Sequence, residues 1–242
     1  MDNTSMINDQ NLIKRALSAV ILGPSVLWCL WKGIPYSTGL IVMLYFVALW
    51  EWKKIFTHNN EKASSFNDDT EIKHQRTWMV SGYIWINMAF FYLLYLAQNF
   101  PLTLLIGLLL IIWANDVGGY IVGKTLGRTK LCPSISPNKT WEGTLGGIVA
   151  SFVIYGFFSV YVLQKTPDVG GLAFASFIAC IASVGDLLES AAKRFFGVKD
   201  SSNIIPGHGG LLDRIDGLLG VGVILCMLHY FASIHLAKEF LL

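Results

Sequence analysis

The residues able to do chemistry gather in one polar, glycine-broken interval, Ser190 to Gly217, which reads SAAKRFFGVKDSSNIIPGHGGLLDRIDG and lies between two strongly apolar segments. It carries Lys193, Arg194, Lys199 and Arg214 as cations, Asp200, Asp213 and Asp216 as carboxylates, and His208. Asp213 and Asp216 are three residues apart, so a helix opening at Leu211 sets both on one face. Two anions side by side repel unless a cation lies between them, and oxygen ligands select a hard ion such as Mg²⁺. Gly207, Gly209 and Gly210 let the backbone approach a ligand and offer N–H groups to an anion such as a phosphate. A carboxylate-held metal beside basic residues points to a nucleotide. The competing reading is a solvated loop with interfacial Lys and Arg.

Other candidates lie at the ends of apolar segments. Asp186 and Glu189, three apart, share a helix face; they either complete a metal site with Asp213 and Asp216 or serve only Lys193 and Arg194. Asp116 falls inside an apolar segment, where a buried carboxylate costs at least about 2.5 kcal/mol and is a functional candidate by default. The alternatives for it are a packing role or a pair with Lys124. Lys139 and Thr140 directly precede an apolar segment, where a helix N-terminus favours phosphate, although an ordinary capped helix start reads equally well. Gly119 with Gly123, and Gly143 with Gly147, are spaced for close helix approach rather than catalysis.

The elements that must position these residues are membrane spans. Of 242 residues 54% are hydrophobic and only 14% charged, the composition of an integral membrane protein. A net charge of +2, with the cations scattered over short loops, argues against nucleic acid as a partner. Cys29, Cys132, Cys180 and Cys226 show no paired spacing, so neither a disulfide framework nor a zinc site is implied. After a polar tail over 1–13, apolar segments run over 16–31, broken by Gly23-Pro24, and over 36–50. A polar stretch over 51–76 reads as a water-exposed loop or hairpin without chemistry of its own. Further apolar segments cover 77–97, 102–123, 143–163, 171–189 and 211–236. The expectation is an all-α polytopic membrane protein of about seven transmembrane helices, with N-terminal helices over 14–112 and a catalytic region over 113–242. With the N-terminus in the cytoplasm, only Lys32, Lys165 and Lys238 of the 18 Lys and Arg fall on the opposite side, as the positive-inside rule requires. The Ser190–Gly217 interval then faces the cytoplasm.

The interval also resembles a known signature. Ser190, Lys193-Arg194, Lys199-Asp200, Pro206-Gly207-His208-Gly209-Gly210 and Asp213-Arg214-Ile215-Asp216, at their fixed spacing, are similar to the signature of the phosphatidate cytidylyltransferases, also called CDP-diacylglycerol synthases. Its lead-in resembles Gly185-Asp186, Glu189 and Ser190. Asp116, Gly118 and Tyr120 resemble a second family motif, and the run from Ser136-Pro137 through Lys139-Thr140 to Glu142-Gly143 a third. The likeness is continuous from about Trp113 to Gly217 and weaker over Lys14 to Glu51. Between Trp52 and Trp113 the chain is shorter than members with more spans, which implies a missing helix pair; Ala192 replaces a larger apolar residue and Gly217 a frequent Ser.

The resemblance implies transfer of a cytidylyl group from CTP to phosphatidic acid at the cytoplasmic face of the bacterial inner membrane, giving CDP-diacylglycerol and pyrophosphate. It implies a Mg²⁺-dependent site with a second cation, held by positions matching Asp186, Asp213 and Asp216, with a homodimer as a candidate assembly. Lys193 and Arg214 would act on the reacting groups. Asp116, Ser136, Lys139, Thr140, Arg194, Lys199, Asp200, His208, Gly209 and Gly210 would bind substrate. The lipid phosphate is already anionic, so the reaction needs no general base and His208 is a binding or positioning residue. A CTP-dependent lipid or polyprenol kinase and a transporter are the rival classes. The kinase would release nucleoside diphosphate, and the transporter would carry its charges at mid-membrane.

Overall fold

The computed structural model describes residues 18, 20–63, 69–207 and 209–232. The N-terminal tail, Lys14, Arg15, His208 and Lys238 lie outside the described residues. Among the described residues there are seven helices, α1 Val20–Lys32, α2 Tyr36–Ala63, α3 Asp69–Asn99, α4 Leu102–Thr125, α5 Trp141–Tyr161, α6 Val169–Phe195 and α7 Leu212–Ala232. A two-stranded antiparallel hairpin, β1 Lys130–Cys132 and β2 Ser136–Thr140, interrupts them between α4 and α5. Among the described residues four helical stretches are long and apolar enough to cross a bilayer: Ile72–Asn99, Leu102–Thr125, Trp141–Tyr161 and Val169–Phe195. The fold is that of a helical, polytopic integral membrane protein. Two compact units divide it, one of residues 1–86 and 193–215, the other of residues 87–192 and 216–242.

In the first unit the described residues of the polar stretch over 51–76, expected as a loop or hairpin, are helical. α2 runs to Ala63 and α3 starts at Asp69. The reason is periodicity: Ala48, Glu51, Trp52 and Ile55 are buried at helical spacing while Lys53, Lys54 and Thr57 face out, so the apolar stripe outlasts the apolar composition. Trp52 closes this core. Its indole N–H donates to the Met79 carbonyl at 3.1 Å, and its ring fills the place of a side chain at Gly82, where a Cβ would fall 1.9 Å from Trp52 Cζ2. Phe196 meets the Trp52 ring edge-on at 6.2 Å, and Phe195 stacks on Trp78 at 5.6 Å. The break expected at Gly23-Pro24 is also absent, since α1 continues through both.

The second unit packs through small residues, as expected of Gly119, Gly123, Gly143 and Gly147. A Cβ at Gly118 would lie 2.5 Å from that of Ala150, one at Gly147 would lie 2.4 Å from Asn115 Oδ1, and one at Gly143 would lie 2.8 Å from the Gly119 carbonyl oxygen. α4 and α5 therefore touch backbone to backbone. α6 and α7 do the same at Gly185 and Gly220, where a Cβ on Gly220 would stand 2.8 Å from the Gly185 Cα. On the other face of α5, Leu145, Val149, Val153, Phe157 and Val160 point outward as a continuous apolar stripe suited to lipid. The hairpin lies in the interval between the apolar segments over 102–123 and 143–163. Glu142 holds it to α5 by accepting from the backbone N–H groups of Arg128 and Thr129 at 3.2 and 3.1 Å.

Candidate active site

The signature residues of the first unit form a network built on two carboxylates. Asp213, in the first turn of α7, accepts from Lys193 Nζ through Oδ1 at 2.5 Å and from the Gly210 N–H through Oδ2 at 2.8 Å. The Ser201 N–H also donates to Oδ2 at 3.0 Å. Lys193 is buried, so this is a desolvated, hydrogen-bonded ion pair rather than a surface one. The glycines owe their places to backbone geometry. Gly207 and Gly209 have φ of +77° and +90°, a conformation that favours glycine, and Ile205 donates to the Gly209 carbonyl at 2.9 Å to close the turn. Arg194, Lys199, Asp200 and Arg214 are exposed. Asp200, Ser201, Ser202, Asn203 and Lys54 line a cavity of about 250 Å³.

The second carboxylate was not a sequence candidate. Glu51 is wholly buried. It accepts from the backbone N–H groups of Leu211 and Leu212 at 2.8 and 2.7 Å and from the Ser201 and Ser202 hydroxyls, the former at 3.0 Å. Its position at the start of a polar run hid it. Continuing the helical stripe through Trp52 and Ile55 would have turned it inward.

In the second unit the acids cluster. Asp186, the last residue of the middle third of α6, has Oδ2 paired with Lys139 Nζ at 2.8 Å, while its buried Oδ1 has no hydrogen-bond partner. Lys139 Nζ also lies 3.4 Å from the Ser183 carbonyl. Asp216 feels the charges of Asp186, Glu189 and Asp116 together. Glu189 is wholly buried. Asp116, expected inside the fourth span as a buried group, instead has its side chain exposed beside the buried stripe of α4. That stripe runs through Ile111, Ile112, Asn115 and Gly118. Its neighbour Asn115 takes the inward place and donates to Ser183 Oγ at 3.1 Å. Thr140 is buried and caps α5, its hydroxyl accepting from the Gly143 N–H at 3.1 Å; Ser136 is half-buried on β2. Lys124 lies 3.4 Å from the Tyr120 hydroxyl.

The two sets differ in what they can hold. Among the described residues no three Asp, Glu, His or Cys side chains converge closely enough to chelate an ion. The acids around Asp216, with the partnerless Asp186 Oδ1, nonetheless fit a cation. Asp213 does not fit as readily, because both its oxygens already accept hydrogen bonds. The Lys193–Asp213 pair and the exposed cations near it suit an anionic ligand.

Comparison with known proteins agrees with this chemistry. The model of the "Cytidylyltransferase family" matches residues 62–232. A phosphatidate cytidylyltransferase of Brucella suis biovar 1 is 29% identical over 250 residues, covering 89% of this chain and 92% of that protein. One of Staphylococcus aureus (strain COL) is 33% identical over 197 residues, covering 78% and 75%. One of Bacillus subtilis (strain 168) is 44% identical over 140 residues, 57% of this chain and 52% of that protein, so this match spans about half of the relative's length. On the extent of these matches, the chain belongs to the cytidylyltransferase family.

Proposed function

We propose that this chain transfers a cytidylyl group from CTP to phosphatidic acid, forming CDP-diacylglycerol and pyrophosphate at the cytoplasmic face of a bacterial inner membrane. The observation that carries the reading is the family match over 62–232, which takes in every signature residue from Asp116 to Asp216. In the reaction a phosphate oxygen of phosphatidic acid attacks the α-phosphorus of CTP. The new P–O bond forms as the bridging bond to the β-phosphate breaks, and that electron pair leaves with pyrophosphate. Such a transfer demands alignment and charge neutralisation more than covalent help from the protein.

The chain's residues divide this work. Lys193, fixed by Asp213, offers a cation that cannot drift from its place. Arg194, Lys199 and Arg214 supply further positive charge for the triphosphate and the lipid phosphate. Gly209 and Gly210 bring backbone close to the ligand, and Lys139 is steered by Asp186. Asp186 and Asp216 are the residues that would hold Mg²⁺, while the oxygens of Asp213 are taken up by Lys193, Gly210 and Ser201. When bound, the metal offsets charge developing on the phosphates. A seven-span topology with the N-terminus inside follows from the Lys and Arg asymmetry, and crosslinking of the membrane-embedded protein tests for a homodimer.

Labelled CTP with phosphatidic acid and Mg²⁺ tests the reading. CDP-diacylglycerol and pyrophosphate are the expected products. Release of CDP with a phosphorylated lipid would make the chain a kinase, and substrate flux without turnover in proteoliposomes would make it a transporter.

A further inference from the structure

We infer that Glu51 is a positioning residue for the transfer, clamping the first turn of α7 and, through Ser201, setting the Asp213–Lys193 pair; the inference rests on the reaction proposed above. Glu51 sits on α2, 160 residues before the helix start it serves. At that start the first N–H groups of α7 have no partner within the helix. The Leu211 and Leu212 N–H groups are both taken up by Glu51, one by each carboxylate oxygen, at 2.8 and 2.7 Å. A buried anion at a helix N-terminus also meets the positive end of the helix dipole.

The carboxylate reaches further through its serines. Ser201 Oγ stands 3.0 Å from Glu51 Oε2 and 3.2 Å from Asp213 Oδ2, so its one hydroxyl hydrogen is shared between the two acids. Asp213 in turn holds Lys193. Gly210 is small because the network occupies its side-chain position, where a Cβ would lie 1.9 Å from Ser201 Oγ and 2.6 Å from Glu51 Oε1. A shift of Glu51 is therefore passed to the ion pair by hydrogen bonds, not by packing alone. Glutamine in its place keeps the shape but turns an NH₂ group toward a backbone N–H that cannot accept.

The test uses the full-length protein with Glu51→Gln, Glu51→Asp, Ser201→Ala and the Gln/Ala double variant. Amide hydrogen exchange at Leu211 and Leu212 should quicken about tenfold or more in Glu51→Gln, as expected when charge-assisted bonds to a buried acceptor are lost. Exchange within α5 should not change. In the same protein kcat should fall by up to about 100-fold with the thermal midpoint near that of the parent, the scale of loss seen when a reacting group is misplaced. Glu51→Asp, which keeps the charge, should recover part of it, and the double variant should be no worse than Glu51→Gln alone. Unchanged exchange at the two amides overturns the clamp. A kcat that falls only in step with the folded fraction, or that falls additively in the double variant, overturns the positioning role. If the parent protein makes no CDP-diacylglycerol the proposed reaction fails, and the exchange measurement still decides the clamp.

Discussion

Asp213 and Asp216 look equivalent as letters three apart, yet their surroundings assign them different work. Asp213 has a cation and backbone N–H groups on its oxygens, whereas Asp216 is set among other acids. Asp213→Asn removes the partner of a buried lysine and should destabilise the protein by about 3 kcal/mol, with activity lost and not restored by Mg²⁺. Asp216→Asn relieves repulsion, so the protein should insert and unfold as the parent does, lose most activity, and regain part of it at raised Mg²⁺ or with Mn²⁺. Thermal unfolding beside a metal titration separates the two; identical behaviour of the variants would remove the distinction. Lys139→Ala should raise the KM for CTP about tenfold without loss of folded protein, the size of one charge-assisted contact, whereas Lys165→Ala should not. The charged signature was legible in the sequence because it interrupts apolar runs. Glu51 was not, because an acid at the border of a polar stretch looks solvated until the helical stripe is carried past it. The pairing of Lys139 with Asp186, 47 residues away, is likewise a product of folding that spacing along the chain does not reveal.

Helix by helix, composition located the apolar segments but not their ends. α2 and α6 run well beyond the residues a bilayer would select, to Ala63 and Phe195, and Glu51, Trp52 and Ile55 on α2 and Ala192 and Lys193 on α6 bury one face past the apolar segments. The hairpin β1–β2 escaped notice since its strands are three and five residues long and show no alternation. Glycine spacing, by contrast, was informative, and it supports a prediction about packing. Gly147→Ala puts a methyl 2.4 Å from Asn115 Oδ1 and 2.7 Å from the Asn115 carbonyl, in a seam where neither side can yield, and should cost about 1–3 kcal/mol. Gly156→Ala, on the same helix, meets nothing within 4 Å and should be neutral or stabilising by about 0.5–1 kcal/mol through helix propensity. Thermal unfolding in detergent measures both. Equal effects would mean that α4 and α5 do not meet at Asn115 as described.

For the molecule as a whole, the distribution of positive charge sets an expected orientation, and α5 gives it a physical ruler. This helix has 21 residues, hence a length of about 30 Å, close to the hydrocarbon thickness of a bilayer. Lys130 and Lys139 precede its N-terminus and Lys165 follows its C-terminus, so a helix that crosses the membrane holds them on opposite sides. The positive-inside rule assigns the Lys130 end of this helix to the cytoplasm under the orientation proposed above. The prediction uses a background in which Cys29, Cys132, Cys180 and Cys226, all free thiols, are replaced. A single cysteine at Lys130 or at Lys165, both exposed, is then labelled in intact cells with a reagent that cannot cross the inner membrane. Lys165→Cys should react and Lys130→Cys should react only after the membrane is opened. Labelling of both from outside would break the link between charge and orientation, and would place the signature residues on the side of the membrane where no nucleotide reaches them.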